Sequence, residues 1–401
     1  MSRMVDLSKV NKVFFIGIGG IGISAAARIL QQMGKDVSGS DMTASEITSQ
    51  LQLEGINVFI PQKAANIPVD ADLVVYTVAV NLDNPEKKQA DGLGIWQMTY
   101  PQLLGLLMKD KVGIGVSGTD GKTTTTAMLG KIFMDADLDP TIVVGSKVDY
   151  LGGNSKVGES QYFIFESDEY KKAFHNYYPK IAALTNIRAD HLDVYKDLAE
   201  IKEAFLYYLK RIPEDGLIVV NNDDANSVEI VASCQAKVIS YAIDNSADVK
   251  AIDIKYEAGK QKFKVVSGDN LLGEIELNIP GKYNIYNALS AISVSLEEGI
   301  SFEVIKKSLN DFIGAWRRFE KLGEKDGTQI ITDYAHTPEG LKQVMAATDE
   351  FYPTSKILFV FQPHQYNRTK NFFDEFVLAL KTAENIIISD YPAIKWSDNP
   401  P

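Results

Sequence analysis

The chain has one cysteine among its 401 residues. No disulfide can form within it, which fits a reducing compartment. Cys234 lies in VASCQAKVIS, an apolar setting that suits a buried, inert thiol. No apolar run is long enough for a membrane span. Basic residues are neither abundant nor clustered: 41 Lys and Arg stand against 53 Asp and Glu, a net charge of −12. That argues against a nucleic-acid surface, where phosphate contacts need grouped cations. There is no short-period repeat and no low-complexity tract. The N-terminus imitates a signal peptide, with Arg3, Lys9 and Lys12 ahead of VFFIGIGGIGISAAA. The glycine spacing has a better explanation, and the helix it opens continues past Arg28. The expectation is a cytoplasmic protein without membrane or nucleic-acid partners, a monomer or weak homodimer.

What is present is an ordinary globular composition, 45% hydrophobic and 23% charged, over a length that suits two or three domains. The first hundred residues alternate strand and helix: KVFFIGI, SAAARILQQMG, DVSGSD, ADLVVYTVAV, YPQLLGLLMKD. Such alternation predicts a parallel, doubly wound sheet. A second unit repeats the pattern from KVGIGVSGT, with further strands in YFIFES, KIAALTNI and GLIVVNND. From about Val238 to Ile279 the alternation in KAIDIKY and QKFKVVSG predicts antiparallel strands with one wet face. A third unit has strands in TQIITDY, KILFVFQ and NIIISDY. The predicted domains are 1–109, 110–314 and 315–401, all α/β, with the last expected to be incomplete.

Two glycine loops carry chemistry. Gly17, Gly19, Gly20 and Gly22 match G-x-G-x-x-G between a strand and a helix, where backbone N–H groups and the positive helix end meet a diphosphate. Asp41 follows at the end of the second strand, where an acid meets a ribose. Taken alone, this motif reads by default as a dinucleotide site, although it specifies a diphosphate and not the molecule carrying it. The second loop, GVSGTDGKTTTT, lacks the first glycine of a P-loop, whose place is taken by Val116. It keeps Gly118, Thr119, Gly121, Lys122, Thr123 and Thr124. Backbone N–H groups from 118 to 123 can cradle phosphates, Lys122 can reach the β- and γ-phosphates, and the Thr123 hydroxyl can hold Mg²⁺. Asp120 is tolerable if its side chain points away while its N–H serves the cradle.

ESDEY ends one strand with Glu166, Asp168 and Glu169, and Glu166 at the strand edge is a natural Mg²⁺ ligand. Asp168 and Glu169 suit a solvated turn equally well. LTNIRADHLDVY ends another strand with Asn186, Asp190, His191 and Asp193. There His191 is a candidate metal or phosphate group with Glu166 as its expected partner. A phosphate-poised ATP site beside a separate diphosphate site argues for ATP-driven modification of a nucleotide-linked substrate.

GTDGKTTTT, ESDEY, TNIRADHLDVY, PGKYNIYNALSA, WRRFE and DYAHTPEG occur in the order seen in the Mur ligases, the ATP-dependent amino-acid ligases of peptidoglycan synthesis. Over essentially its whole length the chain resembles this family. In the family the loop is G-T-x-G-K-T/S, so Val116 is expected there. GIGGIGIS, SGSD, DNPE and FQPHQYNRTK resemble the branch that adds L-alanine to UDP-N-acetylmuramate, in which the first loop holds the UDP diphosphate. Thr337 and Gln365 depart from that branch's pattern.

The resemblance implies that the lactyl carboxylate of UDP-N-acetylmuramate attacks the γ-phosphate of ATP, and that the amine of L-alanine attacks the resulting acyl phosphate. Lys122, Glu166 and His191 would be catalytic, with Thr123, Glu166 and His191 on Mg²⁺. Asn284 and Asn287 match an adenine-binding pair, Arg318 a phosphate-binding arginine and Asp333 a ribose ligand. His336, His364 and Arg368 would line the amino-acid side of the cleft. Tyr170 and Phe174 read as packing. A tripeptide-adding recycling ligase, an NAD-linked oxidoreductase and an inactive nucleotide-binding protein are the alternatives.

Overall fold

A computed structural model describes residues 5–192, 194–257, 260–363 and 366–390, whose strands form four sheets. The first sheet has the order Asn57–Phe59, Asp36–Ser40, Lys12–Ile16, Leu73–Tyr76, Trp96–Thr99, all parallel. Phe14 and Phe15 on the central strand point to opposite faces and both are fully buried, as a sheet covered on two sides requires. The apolar run ADLVVYTVAV yields a strand only to Tyr76. Its neighbour pairs Val13 with Leu73 through Ile16 with Tyr76 and then enters the glycine loop. Thr77 N–H still donates to Ile16 O at 3.4 Å, but the chain then turns, with Val80 N–H donating back to Thr77 O.

The second sheet has ten strands. Val112–Ser117 lies between Tyr162–Glu166 and Ile181–Leu184, parallel to both. Leu217–Asn221 and Lys237–Ala242 extend it in parallel, and Val249–Glu257, Lys260–Ser267 and Asn270–Leu277 close it as an antiparallel run. The antiparallel part continues the parallel sheet through a short parallel contact of Val249–Glu257 with Lys237–Ala242. Along Lys260–Ser267, Gln261, Phe263 and Val265 are buried and their neighbours are half-exposed, the expected single wet face. Helices Lys122–Asp135 and Lys282–Glu297 lie over one face, and Met128, Ile132, Leu289 and Ile292 share a core with Ile114 and Val116.

In the third region Thr328–Thr332 pairs back onto Glu320–Lys325. Asp326 and Gly327, with φ of 52° and 76°, form the two-residue Asp-Gly turn whose twist suits a hairpin. Phe359–Phe361 and Ile386–Ile388 form a separate parallel pair among the described residues. Helices Pro338–Phe351 and Phe373–Leu380 pack around Leu341, Phe361, Phe376 and Ala379.

Candidate active site

The first glycine loop leaves the strand at Ile16. Gly17 and Ile18 N–H groups donate to Ser40 O at 2.8 and 2.9 Å, which ties the loop to the next strand. Gly20 is the N-cap of helix Ile21–Gln32, and no side chain caps it. Gly22, in the first turn, packs against the Tyr100 ring, and a Cβ there would come 3.1 Å from it, so the ring would have to shift by a few tenths of an ångström. Asp41, expected at a ribose, accepts from the Gly19 N–H at 2.8 Å and from Met42 N–H at 2.7 Å. Nearby, Glu86 is fully buried and accepts from Lys63 N–H, Asn66 Nδ2 and the Ser40 hydroxyl. Burial pushes its carboxyl up despite these donors.

The second loop follows Val112–Ser117. Parallel register places Leu184 beside Ser117, so the residues after Leu184 run alongside the loop. Asn186 clasps it: its carbonyl accepts from Thr119 N–H at 2.9 Å and its side-chain oxygen from Asp120 N–H at 3.1 Å. Those two N–H groups of the expected 118–123 cradle are therefore engaged within the protein. Gly121, at φ +87°, is the uncapped N-cap of helix Lys122–Asp135. The N–H groups of Lys122, Thr123 and Thr124 open that helix without intrahelical acceptors, the arrangement that binds anions. Gly121 also abuts the Asn287 amide, leaving no room for a side chain. The Asp120 side chain, expected to point away, is about half exposed and lies 3.9 Å from Arg188, and the residue borders the cavities beside the loop.

Thr123 Oγ1 donates to Glu166 Oε2 at 3.2 Å, and Glu166 Oε1 accepts from Gly145 N–H at 2.5 Å. Burial raises the Glu166 carboxyl. His191 does not meet Glu166, the expected partner. Its Nε2 lies 3.8 Å from Glu169 Oε1 and 3.8 Å from Asp190 Oδ2. The reason is local: Lys171 and Lys172, at φ of 49° and 57°, turn the chain after Glu169, and His191 itself sits at φ 52°. Glu169 is buried, with 3% of its side chain exposed. It is the residue that sequence reasoning left open and that the fold places at the centre.

Ligand atoms of Asp168, Glu169 and His191 lie within 4.8 Å of one another, a group able to hold a metal ion. Lys122 Nζ donates to both Glu169 oxygens at 3.0 and 2.9 Å and to the carbonyls of Gly118 and Thr119 at 2.6 and 3.1 Å. Burial opposes the ammonium, but the Glu169 and Asp168 charges outweigh it and the Lys122 pKa moves up. Burial also lifts the Glu169 carboxyl to about 7, with the Lys122 charge opposing. Tyr170 stacks obliquely on His191 at 4.9 Å, while Phe174 is fully buried packing.

A cavity of about 90 Å³ brings together Gly121, Thr123, Thr124, Asn284, Asn287, Arg318, Asp333 and His336. A second, of about 300 Å³, adjoins it and shares Asp120, Gly121, Tyr283, Asn287 and Gln343. Asn287 Nδ2 donates to Asn284 Oδ1 at 3.0 Å, and Asn284 Nδ2 donates to Pro280 O at 2.7 Å. The pair thus holds itself in place, one turn apart on a buried helix face. Asp333 accepts from Phe319 and Ala335 N–H at 2.8 and 2.7 Å, and each oxygen retains a further lone pair. Burial raises its carboxyl, against the Arg318 charge. His336 Nδ1 lies 2.7 Å from Tyr334 O, and burial lowers the ring to a pKa of about 4. Thr337, one of the two departures, accepts from Gly340 N–H at 3.1 Å and so caps helix Pro338–Phe351. Arg368 is not at the cavity; it bonds Asp190 Oδ1 at 3.1 Å, next to His191. His364, Gln365 and Asp193 lie outside the described residues.

Strand Thr141–Val148 ties the units together. Besides Gly145 on Glu166, Ser146 Oγ donates to Trp316 O at 3.0 Å, Trp316 N–H donates to Lys147 O at 2.9 Å, and Lys147 pairs with Glu46.

Comparison with known proteins matches three family models along the chain: Mur ligase family, catalytic domain, at 12–112; Mur ligase middle domain at 116–295; and Mur ligase, glutamate ligase domain, at 317–399. A UDP-N-acetylmuramate–L-alanine ligase of Clostridium kluyveri is 45% identical over 97% of this chain and 85% of its own length. One of the same name from Caldanaerobacter subterraneus subsp. tengcongensis is 40% identical over 98% and 86%. The crystal structure of UDP-N-acetylmuramate-alanine ligase from Thermotoga maritima superposes with a TM-score of 0.84 at 29% identity, covering 95% of this chain and 85% of that one. The UDP-N-acetylmuramate:L-alanyl-gamma-D-glutamyl-meso-diaminopimelate ligase from Neisseria meningitides gives 0.71 at 26%, covering 77% and 100%.

Proposed function

The chain belongs to the Mur ligase family, and from that premise we propose that it joins L-alanine to UDP-N-acetylmuramate in peptidoglycan precursor synthesis. The reaction uses ATP and Mg²⁺ and passes through an acyl phosphate. The observation that carries this reading is one cavity lined both by the phosphate-loop residues Gly121 and Thr123 with Asn287, and by Arg318, Asp333 and His336 from the next unit. The relatives named as L-alanine ligases support the choice of amino acid. The reading divides the chain at 1–109, 110–314 and 315–401. It places the protein in the cytoplasm as a monomer or weak homodimer. No helix among the described residues is long and apolar enough to cross a membrane.

The first glycine loop receives the UDP diphosphate through the start of helix Ile21–Gln32. The N–H groups opening helix Lys122–Asp135 receive the ATP phosphates, Lys122 offsets charge on the β–γ bridge, and Arg318 adds a second cation. Asn284 and Asn287 face the adenine and Asp333 the ribose. Thr123 and Glu166 offer hard oxygen donors 3.2 Å apart, a set suited to Mg²⁺, with His191 offered from the adjoining loop. The ion supplies charge neutralisation where two anions must meet. Little covalent work falls to the protein, and rate comes from holding carboxylate, phosphate and amine in line. His336, His364 and Arg368 serve the amino-acid side.

Phosphate release with ATP, Mg²⁺ and UDP-N-acetylmuramate, scanned over L-alanine, glycine, L-serine and a tripeptide, tests the reading. Release with L-alanine is expected, and Lys122→Ala should abolish it. No release with any acceptor would remove the ligase assignment for this chain; release only with tripeptide would move it to the recycling reaction.

A further inference from the structure

Lys122 is flanked by two residues that border the cavity, Gly121 and Thr123, yet it borders neither cavity itself. Its ammonium is turned back under the loop. Three protons there meet four acceptors within 3.1 Å: two backbone carbonyls of the same loop and both oxygens of Glu169. The pair is secluded, with side-chain exposures of 15% and 3%. A buried ammonium needs a counter-charge, and in this arrangement Glu169 supplies it. A phosphate arriving at the helix start would supply it instead, and both cannot hold Nζ at once.

We propose that Glu169 is a positioning residue that parks Lys122 away from the phosphate cradle, so that nucleotide binding has to break this ion pair. The inference rests on the ligase reading of the loop. The backbone of Glu169 is anchored independently of Lys122, since Tyr195 Oη donates to its carbonyl at 2.5 Å and Lys172 N–H donates to the same carbonyl at 2.9 Å. Once Lys122 leaves, the carboxylate keeps a neighbour in His191 Nε2, 3.8 Å away. Nucleotide affinity is then reduced by the fraction of molecules with Lys122 parked.

The test is calorimetric titration with ATP in EDTA, on the full chain. Glu169→Gln is expected to bind about tenfold more tightly than wild type, because the competent state no longer competes with an ion pair. In a Lys122→Met background the same substitution should change nothing, since there is no lysine to release. Unchanged or weaker binding by Glu169→Gln overturns the proposal. So does equal tightening in both backgrounds, which would mean simple relief of charge repulsion. Thermal melting checks the fold; if Glu169→Gln does not fold, Glu169→Asp draws the carboxylate back from Nζ and is held to the same comparison. Wild-type protein that binds no ATP even with Mg²⁺ overturns the ligase reading along with this one. Wild-type binding with an unresponsive variant overturns the parking alone.

Discussion

Asp120 looked out of place in a phosphate loop, and its setting gives the anomaly a scale. Its N–H is taken by Asn186, its carbonyl accepts from Thr185 Oγ1 at 2.6 Å, and its side chain is about half exposed beside Arg188. Water at the exposed half screens the charge. Asp120→His should therefore leave Mg·ATP affinity within about threefold, under ~0.7 kcal/mol, as measured by titration; a larger change would place the carboxylate on metal or phosphate. His336 makes a pH prediction. Its pKa falls from 6.5 to about 4 on folding, so between those values the unfolded chain binds more protons. Stability from this group is intact above pH 6.5, declines as the pH drops toward 4, and levels off below. Thermal midpoints measured across that window should fall less steeply for His336→Gln than for wild type.

Elements explain what could be read in advance and what could not. Both glycine loops were legible because a strand, a glycine turn and a helix leave a linear trace. The Asn284–Asn287 spacing was legible because three residues nearly complete a helical turn. The partner of Lys122 was not. Glu169 meets it from an irregular turn in which Lys171 and Lys172 adopt left-handed backbone, which no apolar periodicity encodes. Nor could the role of Asn186 be seen, because it depends on the register of Ile181–Leu184 against Val112–Ser117. The same limit applies to Glu320–Lys325, which shows itself as a strand only once Asp326 and Gly327 close the hairpin. On strand Thr141–Val148, a Cβ at Gly145 would come 2.7 Å from Glu166 Oε2. Gly145→Ala should thus displace the carboxylate and weaken Mg²⁺-dependent ATP binding by about 10- to 100-fold, with Mg²⁺-free binding as the control that stays put.

Across the whole molecule, the first two units share an apolar core, in which Ala25, Ile29, Leu104 and Met108 pack with Val143, Phe163 and Phe165, and specific polar contacts lie beside it. Arg28 Nη1 donates to Asn154 Oδ1 at 2.9 Å, and Asn154 Nδ2 donates to Ile21 O at 2.5 Å, in the first turn of the helix that follows the first glycine loop. Asn154 is 1% exposed. Asn154→Ala leaves buried partners unmet and should cost about 1–3 kcal/mol, read by urea unfolding; proteolysis between the first two units should accelerate alongside.

The sheet order also has a history in time. The first sheet uses only residues 12–99, so every strand it needs has been made before the second begins. Val112–Ser117 is different, because its two neighbours are encoded later, at 162–166 and 181–184. At the usual pace of synthesis, about 5–20 residues per second, that strand waits roughly 4 to 15 seconds for Asn186 to clasp the loop after it. On the ribosome the first sheet and its glycine loop are thus assembled first. The second loop in its clasped form does not exist until Asn186 has been made, some 70 residues after the strand that carries it.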